Sequence, residues 1–159
     1  DLHSFPTRRS SDLWQMLALR ELGVQSEFCR STLHETRAKG PPVTCFTASA
    51  RHELQVKGRK LVGSAQRRTH DVLLQHGSIP LTGRHKEIVR LIACADGSTE
   101  RVALEEMERK TVSLQEVLGY IPRYDTFVEA MRQAVLSHSG TNMLMLDGDE
   151  LEALLWGVS

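Results

Sequence analysis

The run Gly58-Arg59-Lys60-Leu61-Val62-Gly63-Ser64-Ala65-Gln66-Arg67-Arg68 limits what this chain can fold into more than any other stretch. A strand interior normally carries β-branched or aromatic bulk, and here a cation is followed by glycine, serine and alanine. Such a run marks a bulge or the close approach of a ligand, because glycine weakens a strand and small side chains underfill a core. Just before it, Glu53-Leu54-Gln55-Val56 alternates polar and apolar side chains and Lys57-Gly58 can turn the chain. A β-hairpin is therefore expected, with Lys60-Leu61-Val62 opening the return strand. A third strand is expected over Asp71 to Leu81, ended near Pro80.

Elsewhere the period is helical. Trp14, Leu17, Leu19 and Leu22 recur at helix spacing before Gly23, the signature of a helix end with its glycine stop. Gln25 to Arg30 reads as a short strand, and Ser31 to Thr44, with Lys39-Gly40-Pro41-Pro42, as a loop that delivers Cys45. After Gly83, helices are expected over Ser98 to Lys110, from a capping box at Ser113-Leu114-Gln115-Glu116, and over Asp125 to His138 before Gly140. Thr141 to Leu146 reads as a last strand and Asp149 to Trp156 as a last helix, a C-terminal tail spanning 141–159. A helix, a small sheet and then helices make an α+β protein. Asp1 to Leu13 shows no such periodicity and reads like a translated sequencing-library adapter, so it is expected to be an artefact outside the fold.

A chain of 159 residues with 40% hydrophobic and 25% charged residues supports one domain. No apolar run reaches membrane-spanning length, and the pattern of a secretory leader is missing, so a cytoplasmic protein is expected. Cys29, Cys45 and Cys94 form neither a disulfide framework nor a Cys-x-x-Cys zinc pair. Lys and Arg outnumber Asp and Glu by 12 to 6 through His70 and are outnumbered 8 to 14 after it. A basic front half suits an acidic partner or a nucleic acid, but aromatics at 5% make a poor stacking platform for single strands. No phosphate-binding loop, dinucleotide fingerprint or metal-spaced histidine pair is present, so neither a metal nor a cofactor is expected.

Three pieces hold candidate chemistry. Cys45 is a candidate nucleophile; a thiol attacks as the thiolate, which at an ordinary pKa of about 8.5 needs a nearby cation. Lys60 can supply it if the hairpin folds beside the Cys45 loop, and Arg59, Arg67 and Arg68 add positive potential. His76-Gly77 sets a hydrogen-bonding ring beside a bare backbone on the next strand. Each has a bland alternative: a lone Cys is most often a small buried hydrophobe, Lys60 can be an exposed hairpin residue, and His76 a satisfied structural histidine.

Read in order, Cys45-Phe46, Glu53-Leu54, Gly58 to Gln66 and Leu74-Gln75-His76-Gly77-Ser78-Ile79 resemble the biotin and lipoate A/B protein ligase family. The likeness is nearest to its cysteine-dependent octanoyltransferases and runs over 14–140. The resemblance implies a fragment of that catalytic fold, a mixed or antiparallel sheet flanked by helices. It implies that Cys45 accepts the acyl group, that Lys60 contacts the acyl carbonyl, and that Gly63, Ser64, Ala65, His76 and Gly77 line the acyl slot. The reaction implied is octanoyl transfer from an acyl carrier protein through a Cys45 thioester to a lysine of a lipoyl domain or glycine cleavage H protein, a step of protein lipoylation. Six methylenes at about 0.8 kcal/mol each could gain on the order of 5 kcal/mol in such a slot.

One departure is large. The family's Arg-Arg-x-x-Gly-Gly loop, which precedes the matched region, is missing, so a truncated product with weak or no activity and an association-prone sheet edge is expected. The alternatives are an ATP-dependent lipoate-protein ligase, which uses Lys60 without Cys45, and a noncatalytic binding module.

Overall fold

The computed structural model of the chain describes residues 8–29, 53–69, 73–91, 97–139 and 150. The first element is α1 (Arg8–Glu21). Gly23, at φ 82°, ends it: its N–H donates to the Arg20 carbonyl (2.9 Å) and that of Val24 to the Leu19 carbonyl (2.8 Å). This is the Schellman closure, fastened by Leu19 and Val24 in one buried cluster. The stop lies where Gly23 predicts it, but the start does not. Residues 8–13, expected to stay outside the fold, are helical, and Asp12 is fully buried. Asp12, Gln15 and Leu19 face inward at helical spacing, a partly polar stripe that a search for apolar periodicity passes over.

After β1 (Glu27–Phe28) come β2 (Leu54–Val56) and β3 (Arg59–Arg68). Lys57 (φ 51°) and Gly58 (φ 73°) join the last two, and positive φ at both central positions is the type I′ turn, whose twist suits a hairpin. With β4 (Leu73–Ser78) the strands form one sheet in the order β1-β2-β3-β4, each neighbouring pair antiparallel. The register slips once: Leu54 faces Val62 while Gln55 faces Lys60, which leaves Leu61 as an extra residue in β3. That bulge lets Leu61 and Val62 both enter the core with Leu54, Val56, Leu19, Val24, Val112 and Leu114. Among the described residues β4 is an edge strand, and it carries Leu74 at 57% exposure.

A nine-residue 3₁₀ segment (Gly83–Leu91) follows, then α2 (Gly97–Lys110), α3 (Leu114–Leu118) and α4 (Tyr124–Ser139). α4 lies on α1 through Ala18, Ala130 and Ala134, small residues that let two helices approach. The 3₁₀ segment packs on α2 through Val89, Ala103 and Met107. Between α2 and α3 the chain runs beside β3, where the Val112 N–H donates to the Lys60 carbonyl (3.0 Å) and Thr111 makes a parallel bridge to Lys60. The expected α+β arrangement of an antiparallel sheet and helices is what the chain adopts. The loop over Ser31 to Thr44 and the tail elements over 141–146 and 149–156 lie outside the described residues, save the helical Glu150.

The capping box of α3 extends into an ionic network. Glu116 Oε2 accepts from the Ser113 N–H (2.9 Å) and the Ser113 hydroxyl (2.8 Å), while Oε1 takes Lys86 (2.9 Å) and stands 3.5 Å from Arg59. Lys86, itself buried, also reaches Glu108 (2.5 Å), so one carboxylate and one ammonium tie α2, α3, the 3₁₀ segment and β3 together. Partial burial pushes the Glu116 carboxyl up, but hydrogen bonds from Lys86 and Ser113 and the Lys86 charge outweigh it and bring its pKa down to about 2.

Two outcomes follow from these contacts. Lys57→Asn, which relieves a left-handed lysine, should raise stability by up to about 1 kcal/mol in urea melts with an unchanged denaturant slope. Because the Glu116 pKa is depressed, its contribution is complete above its ordinary value of 4.5 and lost as pH falls toward 2. Thermal midpoints should therefore drop across that window in the wild type, and less steeply in Glu116→Gln.

Candidate active site

Lys60 is fixed from both sides before its side chain is considered. Gln55 of β2 is its cross-strand partner, and the 111–112 segment bonds its other edge. Its ammonium meets the Glu53 carboxylate, with Nζ 2.6 Å from Oε1, and both side chains are nearly sealed from water at 9% and 6% exposure. Glu53 is anchored in turn through its carbonyl, which accepts from the Cys29 N–H (2.8 Å). The bland alternative of an exposed hairpin lysine does not hold: Lys60 is one half of a buried ion pair.

Gly63 makes room for that lysine. A β-carbon there would stand 3.3 Å from Lys60 Cε, 3.6 Å from Nζ and 3.7 Å from Ser78 Oγ. Residues three apart in a regular strand point to opposite faces, and the extra residue Leu61 is what brings Lys60 and Gly63 to the same one. Gly77 answers a tighter demand, because its β-carbon would fall 2.6 Å from the Gly63 carbonyl oxygen.

The remaining residues expected at the slot divide between the two faces. Gly63 pairs with Ser78 and Ala65 with His76, so these four share one face; Ala65 and His76 are exposed there. Ser64 pairs with Gly77 on the other, where the Ser64 hydroxyl donates to Gln15 Oε1 of α1 (2.9 Å). Alternation along a strand forces this division. Of the extra cations, Arg59 leans on Glu116 and Arg67 is exposed. Cys45 lies outside the described residues, as does Cys94.

Three participants, Glu53, Gln15 and His85, have no role assigned from the sequence. Glu53 opens an alternating stretch, where a charged residue reads as solvent-facing, and the pairing of Gln55 with Lys60 sets it on the face of the lysine that becomes its buried partner. Gln15 belongs to the polar stripe of α1. The His85 ring joins the Thr82 carbonyl (3.0 Å) and the Thr111 hydroxyl (2.8 Å), bracing the segment beside Lys60. Among the described residues no group of three His, Cys, Asp or Glu could hold a metal ion, and no helix is long and apolar enough to cross a membrane.

An antiparallel sheet that buries a lysine beside a glycine gap, backed by helices, defines an α+β domain. The family described as Lipoyl protein ligase A/B catalytic domain matches residues 7–155, and the chain belongs to that family. The match reaches past both ends of the 14–140 stretch in which the resemblance was read. The chain is 35% identical over 114 residues to octanoyltransferase LipM of an Exiguobacterium species, covering 70% of this chain and 41% of the relative. It is 37% identical over 101 residues to octanoyltransferase LipM of Moorella thermoacetica, covering 64% and 37%. It is 38% identical over 117 residues to octanoyltransferase LipM of Oceanobacillus iheyensis, covering 73% and 41%. The chain therefore spans about two fifths of the length of these curated relatives. No solved structure matches it significantly.

The two glycines should respond differently to one added methyl. Gly77→Ala meets rigid backbone and should cost about 1–3 kcal/mol in denaturant melts. Gly63→Ala meets the flexible Lys60 stem, and should cost less while displacing the ammonium from Glu53.

Proposed function

We propose that the chain serves octanoyl transfer in protein lipoylation, in the cytoplasm, with Cys45 as acyl carrier and Lys60 as the group that meets the acyl carbonyl. The observation that carries this reading is the buried Lys60 ammonium, held 2.6 Å from Glu53 beside the space Gly63 leaves open. Similarity to octanoyltransferases LipM supports the choice of acyl group.

In the first step the Cys45 sulfur bonds to the carbonyl carbon of an octanoyl thioester on an acyl carrier protein, and the carrier's C–S bond breaks to release its thiolate. Negative charge collects on the carbonyl oxygen in the transition state. A hydrogen bond from the Lys60 ammonium in a site shielded from water stabilises that charge more than it does the ground state. In the second step the neutral amine of a lysine on a lipoyl domain or glycine cleavage H protein attacks the Cys45 thioester. The C–N bond forms, the C–S bond breaks, and the amine proton leaves to water or to the departing sulfur. Exchange of one thioester for another is nearly balanced, whereas the amide product draws the sequence forward. Gly63, Ala65 and His76 on the Lys60 face, with Ser64 and Gly77 behind, are the residues proposed to shape the acyl slot.

Incubation with octanoyl carrier protein should add one octanoyl group by intact mass spectrometry, at Cys45 in peptide maps and removable by hydroxylamine. Cys45→Ser should abolish the adduct. An adduct on Cys29 or Cys94, or ATP-dependent octanoylation of a lipoyl domain that survives Cys45→Ser, would overturn the assignment.

A further inference from the structure

Among the described residues the chain buries two lysines in ion pairs, and the two are built for different ends. Lys86 reaches outward to Glu108, which is 57% exposed, and to Glu116, and in doing so it ties separate elements together. Lys60 and Glu53 belong to one hairpin, whose strands are already joined by the pairs Leu54 with Val62, Gln55 with Lys60 and Val56 with Arg59. Their ion pair knits nothing that the ladder does not already hold. Burying two charges is costly in water lost, and an apolar pair of similar volume stabilises a fold as well or better.

Two further features set this pair apart from a structural one. Among the described residues Glu53 Oε2 is buried with no hydrogen-bond partner, whereas a carboxylate kept for stability alone normally has its oxygens satisfied. The bulge at Leu61 and the missing side chain of Gly63 both act on the path of the Lys60 stem. Two departures from an ordinary strand, the bulge and the glycine, thus open the face on which the ammonium lies.

We propose that Glu53 is a positioning residue, whose carboxylate holds the Lys60 ammonium at the face shared by Gly63 and Ser78. The proposal rests on the octanoyl-transfer reading for its purpose, though the contact itself does not. Glu53 acts through Lys60. It is buried behind the ammonium, and its role is to limit where that hydrogen-bond donor can point when an acyl carbonyl arrives.

Amine acetylation of the full chain, followed residue by residue by peptide mass spectrometry, tests the hold directly. Lys57 in the exposed turn serves as the reference and Lys86 as the buried control. Glu53→Gln should raise Lys60 labelling relative to Lys57 by about tenfold or more while Lys86 stays protected, and Glu53→Asp should fall between. Unchanged Lys60 protection, or Lys60 and Lys86 rising together, would overturn the proposal, the latter because it signals general loosening. If Glu53→Gln does not fold, Glu53→Asp carries the same comparison, and Glu53→Gln combined with Lys60→Met should restore a folded chain. In the functional arm, Cys45 acylation by an octanoyl thioester should slow about tenfold in Glu53→Gln with the KM for the thioester little changed, and partly recover in Glu53→Asp. An equal maximal rate in Glu53→Gln sinks the positioning role. If the wild-type chain takes up no octanoyl group, the octanoyl-transfer reading fails, and the labelling comparison still decides whether Glu53 holds Lys60.

Discussion

A salt bridge closed off from water, Glu53 to Lys60, is the contact on which the site depends. Removing one partner of such a pair costs about 3–5 kcal/mol, because the other charge is left buried and uncompensated. Neither residue can therefore drift without the other, and the surrounding sheet restrains both. Cys29, just past β1, bonds the Glu53 backbone, and β2 and the 111–112 segment flank Lys60. The Glu116 and Lys86 network lies one residue away, at Arg59, and secures the elements that supply that flank.

The sheet pattern is subordinate to this contact. In an unbroken ladder Gly63 would alternate away from Lys60, and Val62 would take its place on the lysine's face of the sheet. The extra residue at Leu61 reverses that parity at the cost of one irregular rung, and the core absorbs the change because Leu61 and Val62 are both apolar and both buried. Gly63 then leaves the stem its path, and Gly77 lets β4 close against the Gly63 carbonyl. Substituting either glycine alters the site, but through different neighbours: a movable side chain in one case, fixed backbone in the other.

Much of this was legible in the sequence, and the reasons for the gaps are physical. The hairpin, the capping box at Ser113 and the stop at Gly23 rest on local chemistry, which one stretch of residues settles by itself. The start of α1 did not show because its buried face includes two polar residues, Asp12 and Gln15, and the Gln15 partner, Ser64, lies far along the chain. Glu53 did not show as a partner of Lys60 because a charge in an alternating stretch reads as solvent-facing, and its burial depends on what packs over that face. An alternating pattern assigns faces only while the register is regular, and the small residues after Lys60 signal that a bulge is present without saying which residue is extra. The candidate slot residues Gly63, Ser64 and Ala65 were read as a block, although adjacent strand positions cannot share a face.

Pairing also changes how far the lysine's influence extends. An isolated ammonium acts on a thiol through its full charge, which in a partly buried setting is worth roughly 4 kcal/mol at 4 Å with an effective dielectric near 20. With a carboxylate 2.6 Å away, Lys60 presents a dipole to anything more distant than its immediate neighbours, and a dipole's field falls off faster than that of a charge. Its chemistry is then confined to atoms that accept a hydrogen bond from the ammonium itself. Such confinement suits the carbonyl-contacting role proposed for Lys60. It also means that the basic excess of the front half acts from Arg67 and other surface cations, toward partners that approach from solution, and not from the buried lysine.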